Sequence, residues 1–199
     1  MKKLYLIVAA VLLATGLSFA QVHVGGHAAA SFSTAWGDET DDVPWGFGFN
    51  AGAAAKIGLN DMISVVPEAG IALRRSSDDD QTWSTWAIEI PVLARINVMP
   101  QLYLEVGPQI AFLLSSEMEY DYGYATETIK YGDSKIDALN TFEFGLDAGV
   151  GYSVMQNLDV NFRFALGLTS ILDSKKLGAE SDQSVKNMQL QLGATYWFN

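Results

Sequence analysis

Apolar and polar positions alternate throughout residues 86–116. Every second residue of the first half gives Trp86, Ile88, Ile90, Val92, Ala94 and Ile96, and between them stand Ala87, Glu89, Pro91, Leu93, Arg95 and Asn97. After Met99-Pro100-Gln101 the alternation resumes, with Leu104, Val106, Ile110, Phe112 and Leu114 on one face and Glu105, Gly107, Gln109, Ala111 and Ser115 on the other. A period of two, with one apolar and one polar or small set, is the pattern of two strands whose faces meet different solvents.

The same pattern recurs in eight segments, at 22–34, 46–58, 62–74, 83–97, 102–116, 140–154, 158–171 and 185–198. Each exceeds the roughly 9–11 tilted residues with which a β-strand crosses a bilayer. The connections alternate in length: Leu59-Asn60-Asp61, Met99-Pro100-Gln101 and Met155-Gln156-Asn157 are short, whereas 37–45, 75–82, 117–137 and 173–184 are long and polar. Short turns on one rim and long loops on the other predict an eight-stranded antiparallel up-and-down transmembrane β-barrel, with both termini on the short-turn, periplasmic side.

A soluble lipocalin-like barrel would alternate in the same way with its apolar face inward, so residue size decides the sidedness. The polar face reads Gly46, Gly48, Asn50, Gly52, Ala54, Lys56 in the second segment and Thr141, Glu143, Gly145, Asp147, Gly149, Gly151 in the sixth. Glycine on a solvated strand face packs nothing, but inside a narrow barrel it makes room for charged neighbours. The opposite faces carry Phe142, Phe144, Leu146, Val150 and Val160, Phe162, Phe164, Leu166, suited to hydrocarbon. Trp36, Trp45, Phe47, Trp83 and Trp86 fall toward the long-loop rim and Tyr103, Tyr152, Tyr196 and Phe198 toward the short-turn rim, as two interfacial girdles.

Several short stretches resemble the PorT-like outer-membrane β-barrel family: Phe49-Asn50-Ala51-Gly52, Val66-Pro67-Glu68, Ile88-Glu89-Ile90-Pro91-Val92-Leu93, Tyr103-Leu104-Glu105-Val106-Gly107-Pro108 and the final run from Leu190 to Phe198. The resemblance spans nearly the whole chain after residue 20 and implies an architecture without a chemistry. It also implies outer-membrane lipid as surroundings, and recognition by the barrel-assembly machinery of a last strand ending in Phe198, after which Asn199 follows.

Residues 1–20 read differently: Lys2 and Lys3, an apolar run from Leu4 to Leu13, then Ser18-Phe19-Ala20. That is an expected export signal cleaved after Ala20, which leaves residues 21–199 as one barrel domain. Without cysteine there is neither a disulfide nor a lipoprotein acylation site. The chain carries a formal charge of −11, which makes nucleic acid an unsuitable partner. Of its 23 acidic residues, 16 fall in the four long connections, where only Arg75, Lys130, Lys135, Lys175 and Lys176 are basic.

Chemistry-bearing motifs are few. His23 and His27, the two histidines, lie on one strand face about 13 Å apart at ~3.3 Å per residue, too far to share an ion. His27 with Ser31 is the nearest approach to a hydrolytic pair and has no visible third member. The clusters Asp38, Glu39, Asp41, Asp42 and Asp78, Asp79, Asp80 lack the alternating ligands and glycine turn of a calcium loop. No catalytic residue, metal or cofactor is therefore expected.

What remains is the lumen. Lys56, Arg95 and Arg163 are expected to form a structural network with Glu68, Glu89, Glu105 and Asp147 that blocks conduction. The heights along the strands suggest Arg95 with Glu105 and Arg163 with Asp147, while Glu68 and Glu89 need an arginine from across the lumen or a shared proton. Pro67, Pro91 and Pro108, inside the third to fifth segments, predict bulges or local breaks in pairing. The functional expectation is a small non-enzymatic outer-membrane barrel with acidic loops and a structural or surface-interaction role; a narrow pore, an outer-membrane enzyme and a soluble lipocalin-like barrel are the alternatives.

Overall fold

A computed structural model describes residues 22–38, 40, 43–77, 81–121, 126–131, 140–171 and 184–198. The expected export signal, the acidic positions Glu39, Asp41, Asp42 and Asp78 to Asp80, part of the third long connection and most of the fourth lie outside the described residues. The chain forms β1 (Val22–Gly37), β2 (Gly46–Gly58), β3 (Ile63–Ser77), β4 (Gln81–Asn97), β5 (Leu102–Asp121), β6 (Thr126–Tyr131), β7 (Phe142–Met155), β8 (Leu158–Gly167) and β9 (Val185–Trp197). All neighbours pair antiparallel, and β1 pairs with both β2 and β9, so that eight strands close into a barrel. We call the rim with the short turns and termini the lower rim, and the rim with the long connections the upper one.

The remaining strand, β6, departs from expectation. The ladder of β4 with β5 runs on past the barrel wall to Gln81 opposite Tyr120. Partner β7 leaves β5 at Phe112, and β6 takes its place from Ser116 to Asp121. Residues 117–137 were expected as loop, yet Thr126-Glu127-Thr128-Ile129-Lys130-Tyr131 is rich in β-branched and aromatic types, which suits a strand on a protruding hairpin.

Apolar residues face outward and polar ones inward. Phe47, Leu104, Val106, Phe162 and Leu192 are exposed, whereas Glu89, Asp147, Arg163, Gln189 and Gln191 are buried. Two of the aromatic residues assigned to the girdles turn inward instead. Tyr103 is 1 % exposed in the lumen, and Trp83 lines a cavity at the upper rim with its indole N–H donating to Ser116. Both occupy lumen-facing positions in the period-two pattern, so their parity outweighs their height.

Each proline lies in a gap of one ladder. The β2–β3 pairing skips from Ala54–Glu68 to Ile57–Val65 around Pro67. That of β3–β4 skips from Gly70–Glu89 to Pro67–Val92 around Pro91, and that of β4–β5 from Pro91–Gln109 to Ala94–Val106 around Pro108. Register resumes unshifted past every gap, so these are breaks in pairing and not bulges. The bulges stand elsewhere: Trp86 faces Ser115 while Ala87 faces Leu113, which leaves Leu114 extra on β5, and a second irregularity lies between Ser153 and Met155.

The third gap brings two backbones together. A Cβ on Gly107 would stand 2.0 Å from the Val92 carbonyl oxygen, whereas on the outward Gly26 it would meet nothing nearer than the Phe198 ring at 3.5 Å. Gly107→Ala should therefore destabilise the barrel by about 1–3 kcal/mol, and Gly26→Ala should stay within about 0.5 kcal/mol of the parent. Equilibrium urea unfolding from detergent micelles measures both.

Candidate functional site

The inward-facing alternate residues of eight strands converge in a lumen too narrow for water-solvated charges, so its side chains must satisfy one another. At its lower end an apolar group of Ala54, Val66, Leu93 and Trp197 is buried. Trp197 comes from the last strand, where alternation sends it inward and Phe198 outward at 70 % exposure. The Trp197 indole N–H donates to Asp159 Oδ2 at 2.8 Å, Arg95 Nη1 donates to the same oxygen at 2.6 Å, and Ser153 Oγ donates to Oδ1 at 2.7 Å. The Arg95 guanidinium lies 3.8 Å from the centre of the Tyr103 ring, and Lys56 Nζ lies 4.8 Å from that of Trp197.

Glycine makes this layer sterically feasible. A Cβ on Gly151 would fall 2.1 Å from the Tyr103 ring, so the phenol occupies the space that a side chain would take. Gly193 likewise leaves room for His27 and Asn161.

Arg163 occupies the middle layer. From β8 it reaches Glu68 on β3 with Nη1 and Nη2, at 2.9 and 3.0 Å, in a bidentate pair across the lumen. It also donates to Glu105 Oε1 on β5 from Nε at 3.1 Å and from Nη2 at 2.9 Å. Glu105 is shared with Arg95, whose Nη2 lies 3.4 Å from Oε2, which joins the middle layer to the lower one.

A second cluster stands nearer the upper rim. Arg74 donates to Glu89 from Nε at 2.9 Å and to Glu143 from Nη1 at 2.6 Å. Glu89 further accepts from Asn50 and Gln189, each at 3.0 Å. Arg74 and Glu143 form the floor of a cavity of about 50 Å³ that Ser33, Trp83, Thr85 and Asn187 also line. Below it, Gln109, Glu143, Gly145 and Ala165 line a smaller space of about 10 Å³.

Several expectations need correction. Asp147 stands opposite Ala165 and Arg163 opposite Gly149, so the couple expected from their heights does not form, and Arg163 turns to Glu68 and Glu105. Neither oxygen of Asp147 has a hydrogen-bond partner among the described residues. Glu89 takes its arginine from the adjacent strand, where Arg74 reaches it from four residues above the level of Gly70, its register partner. Lys56 packs on an indole face. Arg74, Glu143 and Asp159 are members that heights alone missed, although their parity was legible: Glu68, Gly70, Ala72 and Arg74 share one face of β3.

His27 and Ser31 are both buried on the lumen face, with His27 Nδ1 3.5 Å from Thr195 Oγ1. Among the described residues no group of three or more potential metal ligands converges.

Removing Arg163 would strand two buried carboxylates. Arg163→Met should cost about 3–5 kcal/mol, and adding Glu68→Gln and Glu105→Gln should recover most of that loss, because the two buried carboxylates that Arg163 served are then neutral. Urea midpoints of the single and triple variants decide it; equal destabilisation of both would show that the guanidinium acts by packing alone.

The likenesses of the chain agree with this architecture. No curated protein matches it significantly. Among solved structures, Neisserial surface protein A is similar at 13 % identity and a TM-score of 0.51, with 88 % of this chain and 97 % of that one covered. Ail, the attachment invasion locus protein of Yersinia pestis, is similar at 14 % identity and a TM-score of 0.50, with 89 % and 99 % covered; its complex with the heparin analogue sucrose octasulfate gives a TM-score of 0.51. At these identities the likeness shows the fold. A family model described as outer membrane protein beta-barrel domain matches residues 15–173, and with the closed eight-stranded wall, apolar outside and charged inside, it makes this chain a member of that family, resident in the outer membrane.

Proposed function

We propose that the chain is exported by a signal cleaved after Ala20 and inserted as a non-enzymatic barrel whose lumen is plugged, so that its work is done at the surface. The observation that carries the plug is the four-bond bridge of Arg163 to Glu68 and Glu105, which ties opposite walls at mid-height above the apolar group around Trp197. A conducting path would have to open those bonds and leave buried charges unpaired. The acid that acts on His27, Glu68, is itself held by two guanidinium nitrogens of Arg163, which favours a role without catalysis. The motif resemblance to PorT-like barrels is consistent with this reading, as is entry of the last strand, ending in Phe198, through the barrel-assembly machinery.

The surface role follows from shape and charge. The hairpin of β5 and β6 projects beyond the wall, and the long connections of the upper rim carry most of the acid of the chain. An acidic rim favours basic or uncharged partners over phosphate-rich glycolipid, unless divalent cations bridge the two. Surface protein and attachment protein are the names of two proteins with this fold, and a surface role is in keeping with them.

Two measurements test the reading. In planar bilayers the purified barrel should show no steady single-channel conductance; stable openings would replace the plug by a narrow pore. An epitope inserted within residues 132–139 should be labelled on intact cells, and one at Asn60 only after permeabilisation. The reverse pattern would invert the barrel and remove the surface role.

A further inference from the structure

Of the two spaces in the upper lumen, the smaller has room for a single water, whereas the cavity at the rim, about 50 Å³, has room for more. The hydroxyls that line it are engaged within the protein. Ser33 Oγ donates to the Arg75 carbonyl at 2.7 Å, Thr34 Oγ1 to that of Val43 at 2.9 Å and Ser76 Oγ to that of Pro44 at 2.8 Å. Thr85 Oγ1 shares a hydrogen bond with Ser116 Oγ at 3.0 Å, and the Trp83 indole N–H donates to the same Ser116. On its way down a guest therefore meets carbon, chiefly from Val43, Trp83, Leu113 and Ile171.

The floor is polar and not fully engaged. Arg74 donates to Glu143 Oε2 and to Glu89, but Glu143 Oε1 and the side-chain amide of Asn187 have no hydrogen-bond partner among the described residues. Together they offer an acceptor and a group that both donates and accepts, which is the complement of a hydroxyl. Charge narrows the guest further. One arginine serves two carboxylates, Glu89 and Glu143, so the floor carries a net negative charge and disfavours an anion. Arg74 and Arg75, both in the lining, oppose a cation. A neutral guest with a hydroxyl at its tip and C–H groups behind it suits floor and wall together.

Size sets how much of the guest enters. The space is roughly a third of the ~150 Å³ that admits benzene, so about two heavy atoms go in and a ring does not. Counting the solvent at its mouth, the empty volume reaches about 470 Å³, which leaves room for a ring outside. Leu113 stands low in the wall, opposite Ala87, and Trp83 high, opposite Met118. We propose that the cavity binds the exocyclic hydroxymethyl group of a neutral hexose. Its hydroxyl lies between Glu143 Oε1 and the Asn187 amide, its methylene meets Leu113, and the pyranose ring stays in the mouth against Trp83. The site deepens the surface role and rests on it for the side from which the sugar comes: the uncharged end of a glycan outside the cell, since the acidic rim disfavours phosphate-rich glycolipid. Binding is measured on the purified barrel, so it can fail while epitope labelling succeeds, and the reverse.

The experiment is saturation-transfer NMR of the methyl glycosides of glucose, galactose and mannose with the full barrel in micelles. At least one should bind saturably, with the strongest transfer at its hydroxymethyl protons. Its 6-deoxy counterpart, which lacks the tip hydroxyl, should bind about tenfold more weakly, as befits a lost hydrogen bond to a charged acceptor. Glucose 6-phosphate should not compete. Asn187→Ala should weaken the hexoside by about the same factor and leave the 6-deoxy compound unchanged. Absence of saturable binding by all three hexosides, equal binding of hexoside and 6-deoxy counterpart, or competition by the phosphate overturns the proposal. So does parent-like affinity in Asn187→Ala. Should that variant fail to fold, the contrast between hexoside and 6-deoxy counterpart on the parent decides alone.

Discussion

The bonds of Arg163 to Glu68 and Glu105 are the constraint on which the rest of this lumen depends. In a bilayer the outward side chains of a barrel gain little from one another, because lipid serves them as well as protein does. Specific tertiary contact therefore has to be made inside, where eight inward rows meet. A guanidinium with four hydrogen bonds to carboxylates on β3 and β5 fixes the distance between β8 and those walls in a way that apolar side chains of similar volume would not. The glycines follow from that choice. Gly149 faces Arg163 across the β7–β8 ladder, and Gly151 and Gly193 yield their Cβ space to Tyr103, His27 and Asn161.

From that middle layer the lumen differs in its two directions. Below, carboxylate, guanidinium and aromatic ring alternate: Asp159 gathers Arg95, Trp197 and Ser153, and the rings of Tyr103 and Trp197 cover the cations. Apolar Val66 and Leu93 close the gaps. Above, the buried Arg74–Glu89–Glu143 cluster gives way to hydroxyls such as Ser33 and Thr85 around a cavity at the upper rim. The chain thus stacks rings on its lumen cations where the strands are joined by short turns, and leaves the end with long connections more acidic.

All eight wall strands were legible in the sequence because two solvents impose a period of two, and that signal survives without any homologue. Ends were less so: β5 runs on to Asp121 and β6 pairs with it, because charged strand residues on a projecting hairpin look like loop when strand is sought by apolar alternation. Within the lumen the inward set follows parity, yet Tyr103 was assigned to a rim girdle and Arg74 left out of the network, because height along the strand was weighed above parity. Partners were not fixed. Arg163 and Asp147 lie on adjacent strands, yet the register sets Gly149 opposite Arg163, and a long guanidinium finds its carboxylates across the barrel instead of beside it. Partner choice in a closed barrel depends on shear and diameter, neither of which one strand's pattern contains.

The prolines and the ion pairs occupy the same seam of the wall. The gaps at Pro67, Pro91 and Pro108 lie on three successive strand pairs, β2–β3, β3–β4 and β4–β5, so lost rungs step across one side of the barrel. In a membrane each absent backbone hydrogen bond has no water to replace it. The side-chain bridges lie on these strands. Arg74 on β3 binds Glu89 on β4 just above the second gap, and Arg95 on β4 meets Glu105 on β5 just below the third. Glu68, whose own rung to Pro91 is missing, is the residue that Arg163 holds from the opposite wall. Where the backbone ladder is weakest, buried charge pairs hold neighbouring strands together. That explains why three prolines are tolerated inside transmembrane strands, and why arginines in this lumen concentrate their bonds on β3, β4 and β5.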